Sequence, residues 1–394
     1  MRIGIDARFL THPQPGGFKT YTEQLVRALL DVDPDNEYVL YIDRPPDPGM
    51  TMPAAANATV RIVPGTAPFI GMPWREQIGL TMHAKRDRID ALHSLCLTAP
   101  LYAPCPLIVT IHDTIWMFPH RFTRQQKRVK RSLMDVYYQY VPKAVTRRAS
   151  AVVTVSQDAR AAIVRHLGIP AHRVFVTYEA AAPIYRVLDR RHAINAVQQK
   201  FGLRESFILA IGSADPRKNI ATLLEAYARL PETMRTRHNL VIVWTHPLLA
   251  ESIANQARAC GIGEHVRFLH HVSNDDLIML YNAASFFVFP SRYEGFGLPI
   301  LEAMACGAPV IAANNSSIPE VAGDAAILVD AELPAMMAHA MVRLLEDDAL
   351  RHEMSARSLH RATAFSWQRC ARETLAVYQS IAIDRAGLRD ARVA

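Results

Sequence analysis

Two glutamates in the last third of this chain have a type and a spacing that suit a ligand-binding or catalytic site. Glu294 and Glu302 stand eight positions apart in YEGFGLPILEAMACGAPVI, residues 293–311. A carboxylate accepts hydrogen bonds from hydroxyl groups, so Glu302 could hold a vicinal diol, as on a ribose, and Glu294 the hydroxyls of a second sugar. The alternative is that Glu302 caps a helix and Glu294 is a solvated loop residue.

A pair of cations supplies a second functional pattern. Arg217 and Lys218 follow the strand-like run FILAIG and precede a helix expected from about Asn219. Two cations beside a helix N-terminus can form a diphosphate pocket, where each charge-assisted hydrogen bond contributes roughly 1.5–3 kcal/mol. As a solvated surface pair they would contribute almost nothing, and that reading stays open.

The elements around both patterns are predicted to bring them to one edge of a sheet. Pro299 suits the first position of a helix and Gly307 its left-handed end, which places Glu294 in the preceding loop and Glu302 in the first helical turn. Gly295 and Gly297 allow backbone N–H groups to approach a ligand. In an open parallel sheet, ligands bind at the carboxyl ends of the strands.

Apolar strands and amphipathic helices alternate along most of the chain, which predicts an α/β fold with parallel sheets. The alternation stops over a polar stretch, 183–206, and then restarts. We therefore predict two Rossmann-like domains, an N-terminal one over 1–190 and a C-terminal one over 200–364. Residues 365–394 are predicted to form a C-terminal helix that packs back across to the N-terminal domain.

Composition limits the class of protein. The chain has 394 residues, 50% hydrophobic and 21% charged, which is typical of a soluble protein of two domains. Its five cysteines show no CxxC spacing, which favours a reducing compartment over a zinc ribbon or a disulfide framework. Neither a signal peptide nor a run of about 18 apolar residues is found, so a cytoplasmic location is expected.

The net charge of +7 is unevenly spread. Residues 119–149 carry nine Lys or Arg against one acid. This segment is either a solvated helix face or a contact with an anionic acceptor or anionic membrane, which would place the protein peripherally at the inner membrane face. No nucleic-acid-binding pattern accompanies the charge, so nucleic acid is not expected as a partner.

The motifs in combination resemble the retaining glycosyltransferases of family 4, with the GT-B fold of two Rossmann-like domains facing a central cleft. The resemblance covers nearly the whole chain, including VTIHDTIW at 109–116 and VTVSQDAR at 153–160. The sequence around Pro216 to Asn219 is most similar to the branch of O-antigen mannosyltransferases. The resemblance implies a hexosyltransferase whose N-terminal domain binds the acceptor and whose C-terminal domain binds a nucleotide diphosphate sugar.

The resemblance implies a role for each matching position. Lys218 and Arg217 would neutralise the donor diphosphate, Glu302 would hold the ribose, and Glu294 would face the donor sugar. His112 would sit beside the reacting sugar and acceptor, so the catalytic set is Glu294, His112, Lys218 and Arg217. The remaining donor-binding positions are Gly16, Gly17, Ser213, His271, Val272, Gly295, Phe296, Gly297 and Leu298.

The chain departs from the family pattern at three places. Ser213 stands where many members carry an arginine, and Arg217 is expected to supply that charge. Trp244-Thr245-His246 replaces a glycine near the base pocket, and YEAAAP at 178–183 replaces an Asn-Gly pair. Asp31-Val32-Asp33 resembles a metal-binding Asp-x-Asp, but it follows a helix and is interpreted as a solvated turn.

The expected function is retaining transfer of a sugar, with a preference for mannose from GDP-mannose, to a hydroxyl of a glycan or lipid-linked acceptor. Neither a metal nor another cofactor is expected, because Arg217, Lys218 and helix dipoles would neutralise the diphosphate. The alternatives are a nucleotide-sugar 2-epimerase of related architecture, which would need hydrolytic acids, and a non-catalytic transferase-like subunit.

Overall fold

A computed structural model describes residues 1–13, 16–65, 71–118, 133–244 and 250–393, without the side chains of 133, 250 and 384–393. Contacts among the described residues divide the chain into two compact units. The first contains residues 1–179 and 366–394, and the second contains residues 180–365. The domain bounds of 190, 200 and 364 stay a prediction.

The first unit is built on a parallel sheet that has seven strands among the described residues, in the order β3-β2-β1-β4-β5-β6-β7. Its strands are β1 Arg2–Asp6, β2 Glu37–Ile42, β3 Ala58–Ile62, β4 Ala91–Ser94, β5 Leu107–Thr110, β6 Ala151–Thr154 and β7 Val174–Val176. Its helices are α1 Gly17–Val32, α2 Gly71–Trp74, which continues through the π-helical turn Arg75–Gly79, α3 Leu80–Arg86, α4 Leu133–Arg148 and α5 Gln157–Leu167.

The second unit is built on a parallel sheet with six strands in its described part, in the order β10-β9-β8-β11-β12-β13. These strands are β8 Phe207–Gly212, β9 Asn239–Trp244, β10 Val266–Leu269, β11 Phe286–Phe289, β12 Val310–Ala313 and β13 Ala326–Val329. The helices are α6 Arg190–Phe201, α7 Ile220–Ala228, α8 Glu232–Arg237, α9 Ala250–Ala259, α10 Asn274–Ala283, α11 Leu298–Ala305, α12 Ile318–Ala322, α13 Pro334–Glu346 and α14 Asp348–Ala362.

The last helix, α15 Trp367–Val393, belongs to the first unit and packs against α1. Its Tyr378 is fully buried, and the hydroxyl group of Tyr378 lies 2.7 Å from Nδ1 of His93 on β4. Trp367, Val377 and Ile381 of this helix are buried as well, so one apolar side of α15 packs into the first unit rather than facing solvent.

The parallel α/β architecture predicted from the alternation is confirmed. The central strands are apolar on both faces because helices cover both sides of each sheet, and β11 is completely buried along its length. The solvated turn expected at the Asp-x-Asp pattern is wrong for Asp33, which is buried, whereas Asp31 is exposed. The carboxylate of Asp33 accepts hydrogen bonds from the side chains of Asn36 and Tyr38 at the end of α1.

Each sheet has one point where the strand order reverses, and this position defines where a ligand can enter. In the second unit the chain runs outward from β8 through β9 to β10, then returns to β11 on the other side of β8. In the first unit the corresponding point lies between β1 and β4. Loops diverge at such a point and leave a crevice at the carboxyl ends of the strands.

None of the described helices combines the length and the apolar character that crossing a bilayer requires.

Candidate functional site

Three charged side chains meet at the reversal point of the second sheet. Lys218 Nζ lies 2.7 Å from Glu294 Oε1, and Arg217 Nη1 lies 2.8 Å from Glu294 Oε2. The cations follow β8 and the carboxylate follows β11, which are neighbouring parallel strands. Two residues separated by 76 positions are therefore brought together by the sheet topology.

Local sequence fixes the two cations beside the start of α7. Pro216–Lys218 forms one 3-10 turn, and Asp215 begins it by accepting the Arg217 N–H at 2.9 Å. Asn219 follows in the left-handed region with φ +55°, and its buried side chain donates to the carbonyl groups of Pro290 and Ala331. These contacts hold the turn against the loops that follow β11 and β13.

Glu294 is buried, with 8% of its surface exposed. Burial alone would raise its pKa, but the charges of Lys218 and Arg217 outweigh that effect and lower the pKa below the usual value. Asp215, whose side chain is 45% exposed, also lies 3.1 Å from Arg217 Nε, so the two cations face one buried and one solvated carboxylate. An anionic group can be accepted where the solvated Asp215 screens Arg217 only weakly and Glu294 limits the repulsion between the cations.

The turn after β12 holds the backbone of the glutamate loop, and the sequence pattern did not reveal it. Ser316 Oγ accepts the N–H of Glu294 at 3.0 Å. Ser317, which is fully buried, lies within donor distance of the carbonyl groups of Glu294 and Phe296, at 3.0 and 2.9 Å. Ser316 adopts φ +48°, a conformation that non-glycine residues rarely take. The run Asn314 to Ser317 signals a turn, but nothing in its spacing names the partner.

Glu302 lies in α11 and is 8% exposed. The hydroxyl group of Tyr281, on α10, donates to its Oε2 at 3.2 Å. The helix begins at Leu298, with Gly297 as its cap, so Pro299 is the second helical residue and not the first as predicted. Glu302 is therefore the fifth helical residue, one position past the first turn in which it was expected. The carboxylate is thus oriented by a tyrosine that is distant in sequence.

The remaining residues of the loop lie between Glu294 and α11. Gly295, Phe296, Gly297 and Leu298 are buried. Gly297 has φ +107°, which a residue with a side chain would adopt only with strain. The glycine therefore allows the chain to turn from the glutamate into the helix.

Other predicted donor-binding positions lie at the same edge of this sheet. His271 and Val272 follow β10, and His271 is exposed with φ +55°. Ser213 follows β8, and its hydroxyl group accepts the N–H of Asp215 at 3.2 Å. Trp244 is buried and packs against Phe268, while Thr245 and His246 lie outside the described residues.

Gly16, Gly17 and His112 belong to the first unit. Gly17 is the first residue of α1 and Gly16 its cap. The ring of Phe18, the next residue, lies 4.9 Å from the ring of His112, so these positions are neighbours. His112 Nδ1 lies 3.2 Å from a carboxylate oxygen of Glu179, which is buried. Glu179 lies in the segment that departs from the family pattern, and nothing in its sequence context predicts this pairing.

Within the described residues, no group of three or more His, Cys, Asp or Glu side chains is arranged to hold a metal ion.

Comparisons with known proteins assign each of the two units to a glycosyltransferase family model. Residues 15–180 match the model of glycosyltransferase family 4, and residues 194–361 match the model of glycosyl transferases group 1. The chain therefore belongs to the group 1 glycosyltransferases, as the motifs predicted. The structure resembles sucrose-phosphate synthase from Thermosynechococcus elongatus, with a TM-score of 0.75 and 20% identity over 97% of this chain and 99% of that one. This likeness confirms the predicted GT-B fold.

Curated relatives include two mannosyltransferases of Escherichia coli. The O-antigen chain mannosyltransferase B is 38% identical over 236 residues, which are 59% of this chain and 61% of the relative. The serotype-specific mannosyltransferase WbdA is 35% identical over 223 residues, which are 56% of this chain and 27% of the relative. The matched region is less than two thirds of either relative.

Proposed function

We propose that this chain transfers a sugar from a nucleotide diphosphate donor to a hydroxyl group of a glycan or lipid-linked acceptor, with retention of configuration. The observation that carries the proposal is the cluster of Lys218, Arg217 and Glu294 at the reversal point of the second sheet. Two cations beside the start of α7 suit a diphosphate, and a carboxylate among them suits the hydroxyls of the attached sugar.

The preferred donor in this proposal is GDP-mannose. Support comes from the relatives, two of which are named mannosyltransferases, one of them of the O-antigen chain. Glu302, oriented by Tyr281, would accept the hydroxyl groups of the ribose. His271 and Val272 would lie beside the base.

The proposed reaction needs no metal. Lys218 and Arg217 would stabilise the negative charge that develops on the leaving diphosphate, since preorganised cations cost no reorganisation during the reaction. The departing phosphate would accept the proton of the attacking hydroxyl on the same face of the sugar. Glu294 would hold the oxocarbenium-like sugar, and His112 of the first unit would orient the acceptor.

A thermal-shift panel with UDP, GDP, ADP and dTDP, without added metal, tests the donor site. A ligand at about 100 times its Kd stabilises the folded state by roughly 2.7 kcal/mol. We expect one nucleotide to respond and Lys218→Ala to abolish the response. The control is Lys85→Ala, which removes an exposed lysine of the first unit. Absence of any response, or a response unchanged in Lys218→Ala, would contradict the site.

We also propose peripheral contact with an anionic membrane through residues 119–149, on a cytoplasmic protein. Residues 119–132 lie outside the described residues. The described part, α4, exposes Tyr138 and Tyr140 together with Arg147 and Arg148, and such amphipathic and basic residues suit an anionic interface. All five cysteines, each a described residue, are free thiols, which suits a reducing compartment. Co-sedimentation with phosphatidylglycerol vesicles but not with phosphatidylcholine vesicles is the expected result; equal recovery with both would contradict it.

A further inference from the structure

A row of aromatic rings leads from the interior of the first unit to its surface. The ring of Tyr21 lies 4.5 Å from that of His112, which lies 4.9 Å from that of Phe18. Phe18 in turn stacks on Phe9 at 5.2 Å, with an angle of 23° between the ring planes, and Phe9 lies 5.5 Å from His12. The row therefore places Phe18 directly beside the histidine that follows β5, with Phe9 stacked behind Phe18.

Burial falls along this row. Tyr21 is fully buried and His112 retains 12% side-chain exposure, but Phe18 is 41% exposed. Single exposed apolar residues are common on protein surfaces and need no explanation. Phe18 differs because its ring is held in place by two aromatic neighbours and lies beside a histidine that a buried carboxylate orients.

The row also lies where the first sheet can receive a ligand. Phe9 is in the connection that leaves the carboxyl end of β1, the strand at the reversal point of this sheet. Phe18 is in the first turn of α1, and His112 follows the carboxyl end of β5. Ligands of doubly wound sheets bind at this edge.

We propose that Phe18, backed by Phe9, is a stacking platform for a pyranose ring of the acceptor. The hydrogens on one face of a pyranose ring carry a partial positive charge, and the face of an aromatic ring is negative, so the two surfaces attract each other. The hydroxyl groups at the rim of that sugar would face His112. This inference rests on the proposed function, because it names the chemical class that the acceptor side of a glycosyltransferase would bind.

The competing explanation is that Phe9 and Phe18 only pack the start of α1 onto the connection after β1. Packing requires an apolar side chain, whereas sugar stacking requires an aromatic face. Phe18→Leu keeps the first property and removes the second, and Phe18→Tyr keeps both. Tyr102→Leu is the matched control, because Tyr102 is an aromatic residue of the same unit with 75% exposure that lies outside the row.

The test is saturation-transfer NMR on the full chain, with irradiation of aromatic protons. The probes are the methyl α-pyranosides of mannose, glucose and galactose and methyl N-acetyl-β-glucosaminide. We expect at least one probe to receive saturation on the protons of one ring face. Its signal should fall about two- to tenfold in Phe18→Leu, the range typical of one aromatic contact, and persist in Phe18→Tyr and Tyr102→Leu. Melting temperatures of all variants check that they fold.

Two results would overturn the platform: an undiminished signal in a folded Phe18→Leu variant, or no signal from any probe with the wild-type protein. Nucleotide binding in the same samples separates this failure from failure of the proposed function. A nucleotide response without a sugar signal retains the donor site and removes the platform. A sugar signal lost in Phe18→Leu, without any nucleotide response, retains the platform and contradicts the donor site.

Discussion

Glu294 and Lys218 form a direct ion pair, with 2.7 Å between Oε1 and Nζ, while Arg217 holds the other carboxylate oxygen at 2.8 Å. One carboxylate thus bridges two cations that come from a different loop. The arrangement restrains both cations before any ligand binds, so binding an anion requires little further ordering. It also means that the three side chains form one electrostatic unit and that their substitutions are expected to be non-additive.

The first prediction separates the roles of the cation and the carboxylate. Glu294→Ala or Lys218→Ala should each lower turnover by at least about 10²–10³, the cost of removing one preorganised charge-stabilising group. Glu294→Gln should retain nucleotide binding, since both cations stay and lose a competing carboxylate, whereas Lys218→Ala should lose it. Single-turnover rates and nucleotide titrations measure the two effects. Near wild-type rates in both alanine variants would remove these residues from the proposed site.

The second prediction concerns the turn that holds the glutamate loop. Ser316→Ala and Ser316→Gly both remove the acceptor of the Glu294 N–H, but only the alanine variant retains a side chain at φ +48°. We expect the alanine variant to be less stable than the glycine variant by about 1 kcal/mol, the usual cost of the left-handed conformation. Both variants should raise the KM for the nucleotide sugar while they remain folded at the assay temperature. Equal stability of the two variants would show that the turn carries no backbone strain.

Ser317→Ala completes this comparison. Its hydroxyl group is buried between two carbonyl groups of the glutamate loop, and its loss should cost about 1–3 kcal/mol because an acceptor is left without its donor. Ser380→Ala is the control, since the Ser380 hydroxyl group donates only locally, to the carbonyl of Val377 in the same helix. If the KM for the nucleotide sugar were unchanged in Ser317→Ala, the serine would have only a structural role.

The fold and part of the site were predictable for a physical reason. Parallel strands place their carboxyl ends at one edge, so a local pattern such as Arg217-Lys218 after one strand and Glu294 after another is enough to bring charges together. The partners Ser316, Tyr281 and Glu179 were not predictable in the same way. Each reaches its target from an element whose position depends on the packed topology, and serine, tyrosine and glutamate are ordinary residues in their own sequence contexts.

The third prediction concerns a buried ion network that the sequence did not indicate. Asp6, at the end of β1, accepts hydrogen bonds from Arg75 Nη2 at 2.8 Å and from Arg8 Nε at 3.0 Å, and all three side chains are buried. Asp6→Asn should destabilise the first unit by about 3–5 kcal/mol, because the two guanidinium groups lose their shared carboxylate. Glu37→Gln removes an exposed partner of Arg2 and should cost at most about 1 kcal/mol. Hydrogen exchange of the β1 amides measures both.

The carboxylate of Asp6 should also make the stability of the folded state fall at low pH. Burial alone would raise the pKa of Asp6, but the charges and hydrogen bonds of Arg75 and Arg8 outweigh it and lower the pKa to about 2. Because the pKa is lower in the folded state, the contribution is complete above about pH 4 and is lost as the pH falls toward about 2. The slope of stability against pH in that window should be smaller in Asp6→Asn; an identical slope would contradict the assignment.

The fourth prediction is that the free energy of unfolding also depends on pH in a less acidic range, because of His93. His93 is fully buried and lies between the hydroxyl groups of Tyr378, 2.7 Å from Nδ1, and Thr110, 2.9 Å from Nε2. Burial, aided by the nearby charge of His112, lowers the pKa of His93 to about 3. The unfolded chain, with an ordinary histidine pKa near 6.5, therefore binds a proton that the folded state does not. Stability should fall by about 1.4 kcal/mol per pH unit as the pH decreases from about 6.5 toward 3.

Because Tyr378 belongs to α15, this loss should appear first as opening of the last helix from the first sheet. Hydrogen exchange of α15 amides at pH 7.0 and pH 5.0 should differ by about 2 kcal/mol in opening free energy in the wild type. His93→Gln, which keeps a hydrogen-bonding group but does not ionise, should remove most of that difference. His172→Gln changes an exposed histidine of the same unit and should leave it intact. If His93→Gln retained the full difference, the proton taken up on opening would have to belong to another group.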